Sequence, residues 1–266
     1  MTPRTDGSGR GRAGRPRLLL AEAPEDSGRA AILAEELGLD AVSDPSLTEG
    51  ETSWLVLNGN GLALTDGVMT ASADMTPMIP RLRADRLGSE MLVKAAGRVK
   101  DGEAPLAVDA AAGFGEDALL LAAEGYRVLM FERDPVIAAL LADALSRAER
   151  DPALSGAVSR MRLRREDSLS ALGSLEETPA IIYLDPMFPE KKKSGLTGKK
   201  FQMLHLLAGP CDQEEDMLRA AWNACPGRVV VKRPLKGPYL AGLRPSWSLK
   251  GKTVRYDCLV PSGNRI

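Results

Sequence analysis

The chain contains one histidine, His205, among 266 residues. A Ser-His-Asp or Cys-His relay would have to use it. It lies in the apolar run FQMLHLLAG, where a packed or surface histidine is the plainer expectation. The three cysteines, Cys211, Cys225 and Cys258, form no CxxC pair. That pattern opposes a zinc site and a disulfide framework and suits small thiols in a reducing cytosol. No apolar run reaches the roughly 18 residues of a membrane helix. The N-terminus also lacks the apolar core of a signal peptide. A cytoplasmic protein without a membrane partner is expected. The net charge is −1, so there is no global positive field, and any nucleic acid must be met by a local basic patch.

What is present divides the chain into three parts. Residues 1–16 (MTPRTDGSGRGRAGRP) are Gly, Arg and Pro with almost nothing to bury, so an unstructured tail is expected. Residues 17–80 read as a small α+β domain. RLLLAEAP is a strand candidate, Arg29 to Leu37 is a helix stopped by Gly38, and WLVLNGNGLALT is two alternating runs about an Asn-Gly turn. Asp66 to Pro80, rich in Met, Ser and Thr, reads as a linker or mobile loop, and PRLRADRLG leads from it into a helix over Ser89 to Ala96. Residues 81–266 change character. From about Ala104, apolar runs alternate with helical ones: PLAVDA, DALLLAAEG, RVLMFE, PVIAALLADALSRA, RMRLRR, SLSALGS, AIIYLD, a helix near Lys200 to Ala208, RVVVKR and TVRYDCLV. Strand and helix in regular order predict an α/β fold, a Rossmann-like parallel sheet covered on both faces.

The stretch VDAAAGFGEDALLL is strand, tight loop and helix. Gly113 and Gly115 permit the turn and a close ligand approach. About 20 residues on, RVLMFERDP ends in Glu132, where an acid accepts hydrogen bonds from ribose hydroxyls. A pyrophosphate favours a helix N-terminus rich in donors. Here Asp109 precedes the loop, and Glu116 and Asp117 occupy the first helical turn. Three carboxylates oppose NAD and suit the sulfonium and ammonium of S-adenosylmethionine. Glu116 and Asp117 also complement the helix dipole, which leaves Asp109 unexplained. At the end of the third strand, Asp167 and Ser168 fall where an adenine edge would be read, and Asp167 also suits a helix N-cap.

The stretch AIIYLDPMFPEKKKSG carries a second constellation. The fourth strand should lie beside the first, at the topological switch point, and so place Asp185 in the cleft. Pro186 and Pro189 stiffen a loop that presents Phe188 as a stacking platform beside an acceptor for a base amino group. The sequence DPMFP is similar to the D/N-P-P-Y/F motif of amino-methyltransferases, with Met187 at the second proline. Lys191, Lys192 and Lys193 follow at once, and RVVVKRPLKGP adds Lys232, Arg233 and Lys236 at the end of the fifth strand on the same rim; all six are read as RNA phosphate contacts. No metal is indicated.

DAAAGFGEDALLLAAEGYRVLMFERDPVIAALLADAL, YLDPMFPEKKKSG and VVVKRP together resemble the bacterial RsmJ family of 16S rRNA guanine-N2 methyltransferases. The resemblance implies a class I S-adenosylmethionine-dependent methyltransferase domain whose partner is 16S rRNA or the small ribosomal subunit. It also implies cofactor contacts at Glu116, Asp117, Glu132, Arg133, Asp167 and Ser168, and a catalytic Asp185 beside Phe188, with Asp185 also expected at the cofactor's methionine end. Adenine-N6 methylation of nucleic acid and a non-catalytic RNA-binding assembly role are the alternatives.

Overall fold

A computed structural model describes residues 15–186, 207 and 213–261. Two compact units divide them: residues to Ala71 form the described part of one, and residues from Ser72 onward belong to the other, apart from 207. No helix among the described residues is long and apolar enough to cross a membrane.

The first unit is a five-stranded sheet in the order β2-β1-β3-β4-β5. Its strands are β1 (Leu18–Ala21), β2 (Asp40–Val42), β3 (Trp54–Asn58), β4 (Gly61–Thr65) and β5 (Thr70–Ala71). Helix α1 (Ser27–Leu37) links β1 to β2 and ends at Gly38, whose φ of 66° makes the left-handed cap that the sequence pattern predicts. The hairpin forms one step away from the expected turn. Asn58 pairs with Gly61, so the two-residue loop is Gly59-Asn60, and the Asn60 N–H donates to Asn58 Oδ1 at 2.9 Å.

The second unit contains short helices α2 (Ile79–Leu82), α3 (Ala84–Leu87) and α4 (Met91–Ala96), then a sheet of seven strands. These are β6 (Leu106–Asp109), β7 (Arg127–Phe131), β8 (Met161–Arg164), β9 (Ile181–Leu184), β10 (Arg228–Pro234), β11 (Trp247–Lys250) and β12 (Val254–Leu259). Their order is β11-β12-β10-β9-β6-β7-β8. The five strands β6 to β10 are parallel, and β12 runs antiparallel to β10 and to β11. Between them run α5 (Glu116–Glu124), α6 (Pro135–Ala148), α7 (Ser155–Val158), α8 (Ser168–Ala171) and α9 (Glu214–Asn223).

Two apolar cores, one on each face, explain why the strand runs read as almost continuously hydrophobic. Ile181, Tyr183 and Val230 face a core shared with α4, α5, α6 and α7. Ile182, Leu184, Val229 and Val231 face the core under α8 and α9. Because strand side chains alternate, this parity decides where each rim residue points.

The segment 66–80, read from sequence as a linker, contributes to structure instead. Thr70–Ala71 is strand β5, while Ala73, Met75 and Met78 are buried, the two methionines within the second unit's core. Arg147 donates to the Ala73 carbonyl at 2.6 Å. Unbranched methionines fill irregular gaps without a clear sequence period, which is why the pattern misleads.

The exit of β10 is held by a buried guanidinium. Arg255 on β12 ion-pairs with Asp257 at 2.9 Å and donates to the carbonyls of Pro234, Leu235, Gly237 and Pro238 at 2.8–3.1 Å. Replacing Arg255→Met leaves Asp257 buried without its cation. A loss of about 3–5 kcal/mol in unfolding free energy is expected from urea denaturation. A loss below about 1 kcal/mol would show that the loop is held by other contacts.

Candidate active site

The site gathers at the carboxyl ends of β6, β9 and β10, where the strand order reverses direction in the chain. Residues 107, 183 and 230 face α5, so the same parity sends Asp109, Asp185 and Lys232 to that side. Asp109 is 1% exposed, and its Oδ1 accepts from the Ala111 N–H at 3.2 Å. Burial pushes its pKa up to about 8; the Ala111 N–H and Lys232 oppose that shift, and the charges of Asp117 and Asp185 add to it.

Lys232 is the centre of the constellation. Its Nζ donates to Asp117 Oδ2 at 2.7 Å and to Asp185 Oδ2 at 2.9 Å. The same Asp117 oxygen accepts from the Tyr183 hydroxyl at 2.6 Å. Burial would raise the pKa of Asp117, but Lys232, Tyr183 and Arg81 outweigh it and hold it below the ordinary value. Burial works against the charge on Lys232 as well. The two carboxylates overcome it and keep the ammonium protonated. Tyr183 and Tyr256 are pushed up, first by burial and then by Asp117, so both phenols stay neutral.

The two loop glycines have separate tasks. Gly113 has a φ of 54°, and a Cβ built on it meets nothing within 4 Å, so open space lies over its backbone. Gly115 has a φ of 75°, and its Cβ would come within 2.7 Å of Leu141 Cδ1 on α6. Gly113 therefore leaves room for a ligand, and Gly115 permits loop-to-helix packing.

Glu132 follows β7 and is 9% exposed. Its two oxygens accept from the N–H groups of Asp134 at 2.9 Å and Gly113 at 3.1 Å, tying the second strand to the glycine loop. Burial raises its pKa, and these two N–H groups oppose the shift. Arg133 is exposed; its Nη1 lies 3.7 Å from Asp167 Oδ2 and donates to Gln213 at 3.4 Å. Asp167 caps α8 by accepting from the Leu169 N–H at 2.9 Å, and Ser168 is buried. Glu116 is half-buried in the first turn of α5. Phe188 and Lys191, Lys192 and Lys193 lie outside the described residues, as does His205.

Two assignments from the sequence are corrected. Lys232, read as a phosphate contact, turns toward α5 and neutralises Asp117 and Asp185. Arg233, read in the same way, has the opposite parity. Its side chain has 0% exposure and pairs with Glu214 of α9 at 2.9 Å, while its Nε donates to the Pro238 carbonyl. Tyr183 and Tyr256 went unassigned from the sequence. Only their proximity to Asp117 marks them, and no local motif signals it.

The residues fit S-adenosylmethionine. Acidic side chains surround the cleft beside an open glycine backbone, and a braced carboxylate stands at the end of the second strand, where ribose hydroxyls are received. Among the described residues, no group of His, Cys, Asp or Glu is arranged to hold a metal ion.

Comparison with known proteins agrees with this geometry. Residues 43–261 match the family described as "Putative SAM-dependent methyltransferase". The chain is 40% identical over 256 residues to the ribosomal RNA small subunit methyltransferase J of Thioalkalivibrio sulfidiphilus, covering 92% of this chain and 98% of that one. A protein of the same name from Pectobacterium atrosepticum is 39% identical, with coverage of 91% and 98%. The crystal structure of a SAM-dependent methyltransferase from Neisseria gonorrhoeae superposes with a TM-score of 0.73 at 28% identity, covering 93% of this chain and 97% of that one.

Asp109 supplies a pH signature. Below pH about 8 the ligand-free protein holds a proton on Asp109. A cation brought beside it favours the ionised form, so binding expels that proton. Affinity for S-adenosylmethionine should therefore rise with pH between 6 and 8 and level off above. Calorimetry in buffers of different ionisation enthalpy reads the proton release directly. Asp109→Asn should weaken binding and abolish the slope. A wild-type affinity independent of pH would remove Asp109 from the cofactor site.

Proposed function

The chain belongs to the ribosomal RNA small subunit methyltransferase J family, and from that premise we propose that it methylates the exocyclic N2 of a guanosine in 16S rRNA. The observation that carries the reading is Asp185, delivered by β9 to the switch point and held there by Lys232 at 2.9 Å. An amino group delivered beside this carboxylate meets a hydrogen-bond acceptor rather than another donor.

When bound, S-adenosylmethionine supplies an electrophilic methyl group on a sulfonium. The chain's own residues bind and align. Gly113 opens the backbone to the cofactor, and Glu132 receives the ribose hydroxyls. Asp109, Glu116 and Asp117 favour a cation in the cleft, and Arg133, Asp167 and Ser168 border the adenine end. Asp185 accepts a hydrogen bond from the guanine amino group and directs the nitrogen lone pair toward the methyl group. A carboxylate has about four lone-pair sites, so the contact with Lys232 leaves capacity for the substrate. After transfer, the nitrogen sheds its extra proton to water, and Asp185 need not be a strong base. The target base must leave its stack to reach the cleft, and Phe188 is the proposed stacking platform.

Labelled cofactor and small ribosomal subunits test the reading. N2-methylguanosine in the digested 16S rRNA is expected. Label in N6-methyladenine of duplex DNA would replace the reading, and absence of transfer to any nucleic acid would sink it. Asp185→Ala should lower kcat by at least about a hundredfold, the scale of lost alignment, with cofactor affinity within a few-fold of wild type. Lys232→Met removes the cation between two carboxylates, so their ionisation moves to higher pH. The acidic limb of the kcat profile should move upward with it, and Lys232→Arg should restore the limb. An unmoved profile would make Lys232 merely structural.

A further inference from the structure

We propose that the tip of the β11–β12 hairpin and the exit loop of β10 form a rigid basic surface, made by Lys236, Lys250 and Lys252, that grips the RNA backbone beside the target nucleotide. The inference rests on the rRNA reading above and assigns the phosphate contacts to residues other than Lys232 and Arg233.

Register brings the three lysines together. Lys250 pairs with Arg255 at the end of β11, and the Gly251 N–H donates to the Val254 carbonyl at 2.8 Å, which leaves Lys252-Thr253 as the loop. Across the gap, the Leu235 N–H donates to the Thr253 carbonyl at 3.0 Å. Lys236 and Lys252 each stand one residue beyond that bond. Pro234, paired with Val254, lies two residues from Lys232, about 7 Å along the strand. The surface therefore adjoins the end of the sheet that carries Asp185.

The lysines are exposed, and none forms an ion pair with a described residue. Their contrast with the neighbouring cations is informative. Lys232, Arg233 and Arg255 each bond carboxylates or carbonyls within the fold. Arg233 and Arg255 also bond the carbonyls of residues 234, 235, 237 and 238, so the segment that bears Lys236 is fixed before any ligand arrives. A pre-ordered loop loses little entropy on binding. Three unpaired ammonium groups on fixed backbone suit a polyanion, and each would release counterions on phosphate contact. With a net charge of −1 for the whole chain, attraction to RNA has to be local.

The test compares wild type, the triple variant Lys236→Gln/Lys250→Gln/Lys252→Gln, and a matched triple substitution to Arg. Lys100→Gln, exposed before β6 at the far end of the sheet, is the control. Methylation of small subunits and filter binding of 16S rRNA are read from 50 to 200 mM KCl, with cofactor affinity by calorimetry. For the Gln triple, KM for the subunit and Kd for RNA should rise about tenfold or more. The salt slope should be shallower by about two. The kcat and cofactor affinity should stay within about twofold, and the Arg triple and Lys100→Gln should match wild type. Unchanged KM and slope would overturn the proposal, as would an Arg triple as poor as the Gln triple. An effect on assembled subunits without one on free rRNA would assign the surface to a ribosomal protein instead. If wild type methylates no rRNA, the functional reading fails separately, and filter binding still decides the surface.

Discussion

A single ammonium group holds the site together. Lys232 Nζ stands between Asp117 and Asp185, with Asp109 buried close by. Three carboxylates at the end of one sheet would repel one another strongly, and their neutral forms would offer a poor cation site. One lysine, assisted by the Tyr183 hydroxyl and by Arg81, keeps Asp117 ionised while Asp109 retains its proton. The result is a cleft with acidic character that is already charge-compensated. An entering sulfonium and its ammonium add positive charge where a neutral carboxyl can still ionise.

Around this centre, preorganisation comes from buried polar contacts. Glu132 links β7 to the glycine loop through the Gly113 and Asp134 N–H groups. Arg255 and Arg233 stiffen the β10 exit from beneath. Buried pairs of this kind add little net stability over apolar packing, but removing one partner is costly, so they specify geometry more than they add free energy. That suits a reaction in which the cofactor supplies the reactive bond and the protein mainly supplies alignment.

Much of the second unit was legible in the chain. The runs LAVD, RVLMF, MRLR, IIYL and RVVVKRP all became strands, and the fourth does pair with the first. Gly113 and Gly115 both take positive φ, as a tight loop requires. Less was legible where local pattern is weak. Met75 and Met78 are core residues inside a stretch that reads as a linker, because packing rather than period places them. Strand β11, WSLK, lies at the sheet edge and carries no apolar run to announce it.

Lys232 and Arg233 draw the boundary between the two kinds of information. Sequence alone determined that two cations end the fifth strand and that acids flank a glycine loop, since composition and short-range spacing are local properties. The direction of each cation was decided only by tertiary structure. Alternation across β10 turns Lys232 toward α5 and Arg233 toward α9, and their partners Asp117 and Glu214 lie 115 and 19 residues away in the chain. Charge at a rim is visible in a sequence, whereas its neutralisation depends on which strand and helix pack against it. Lys236 was visible on that rim in the sequence, but that it forms no ion pair with a described residue while Lys232 and Arg233 do was decided by the packing.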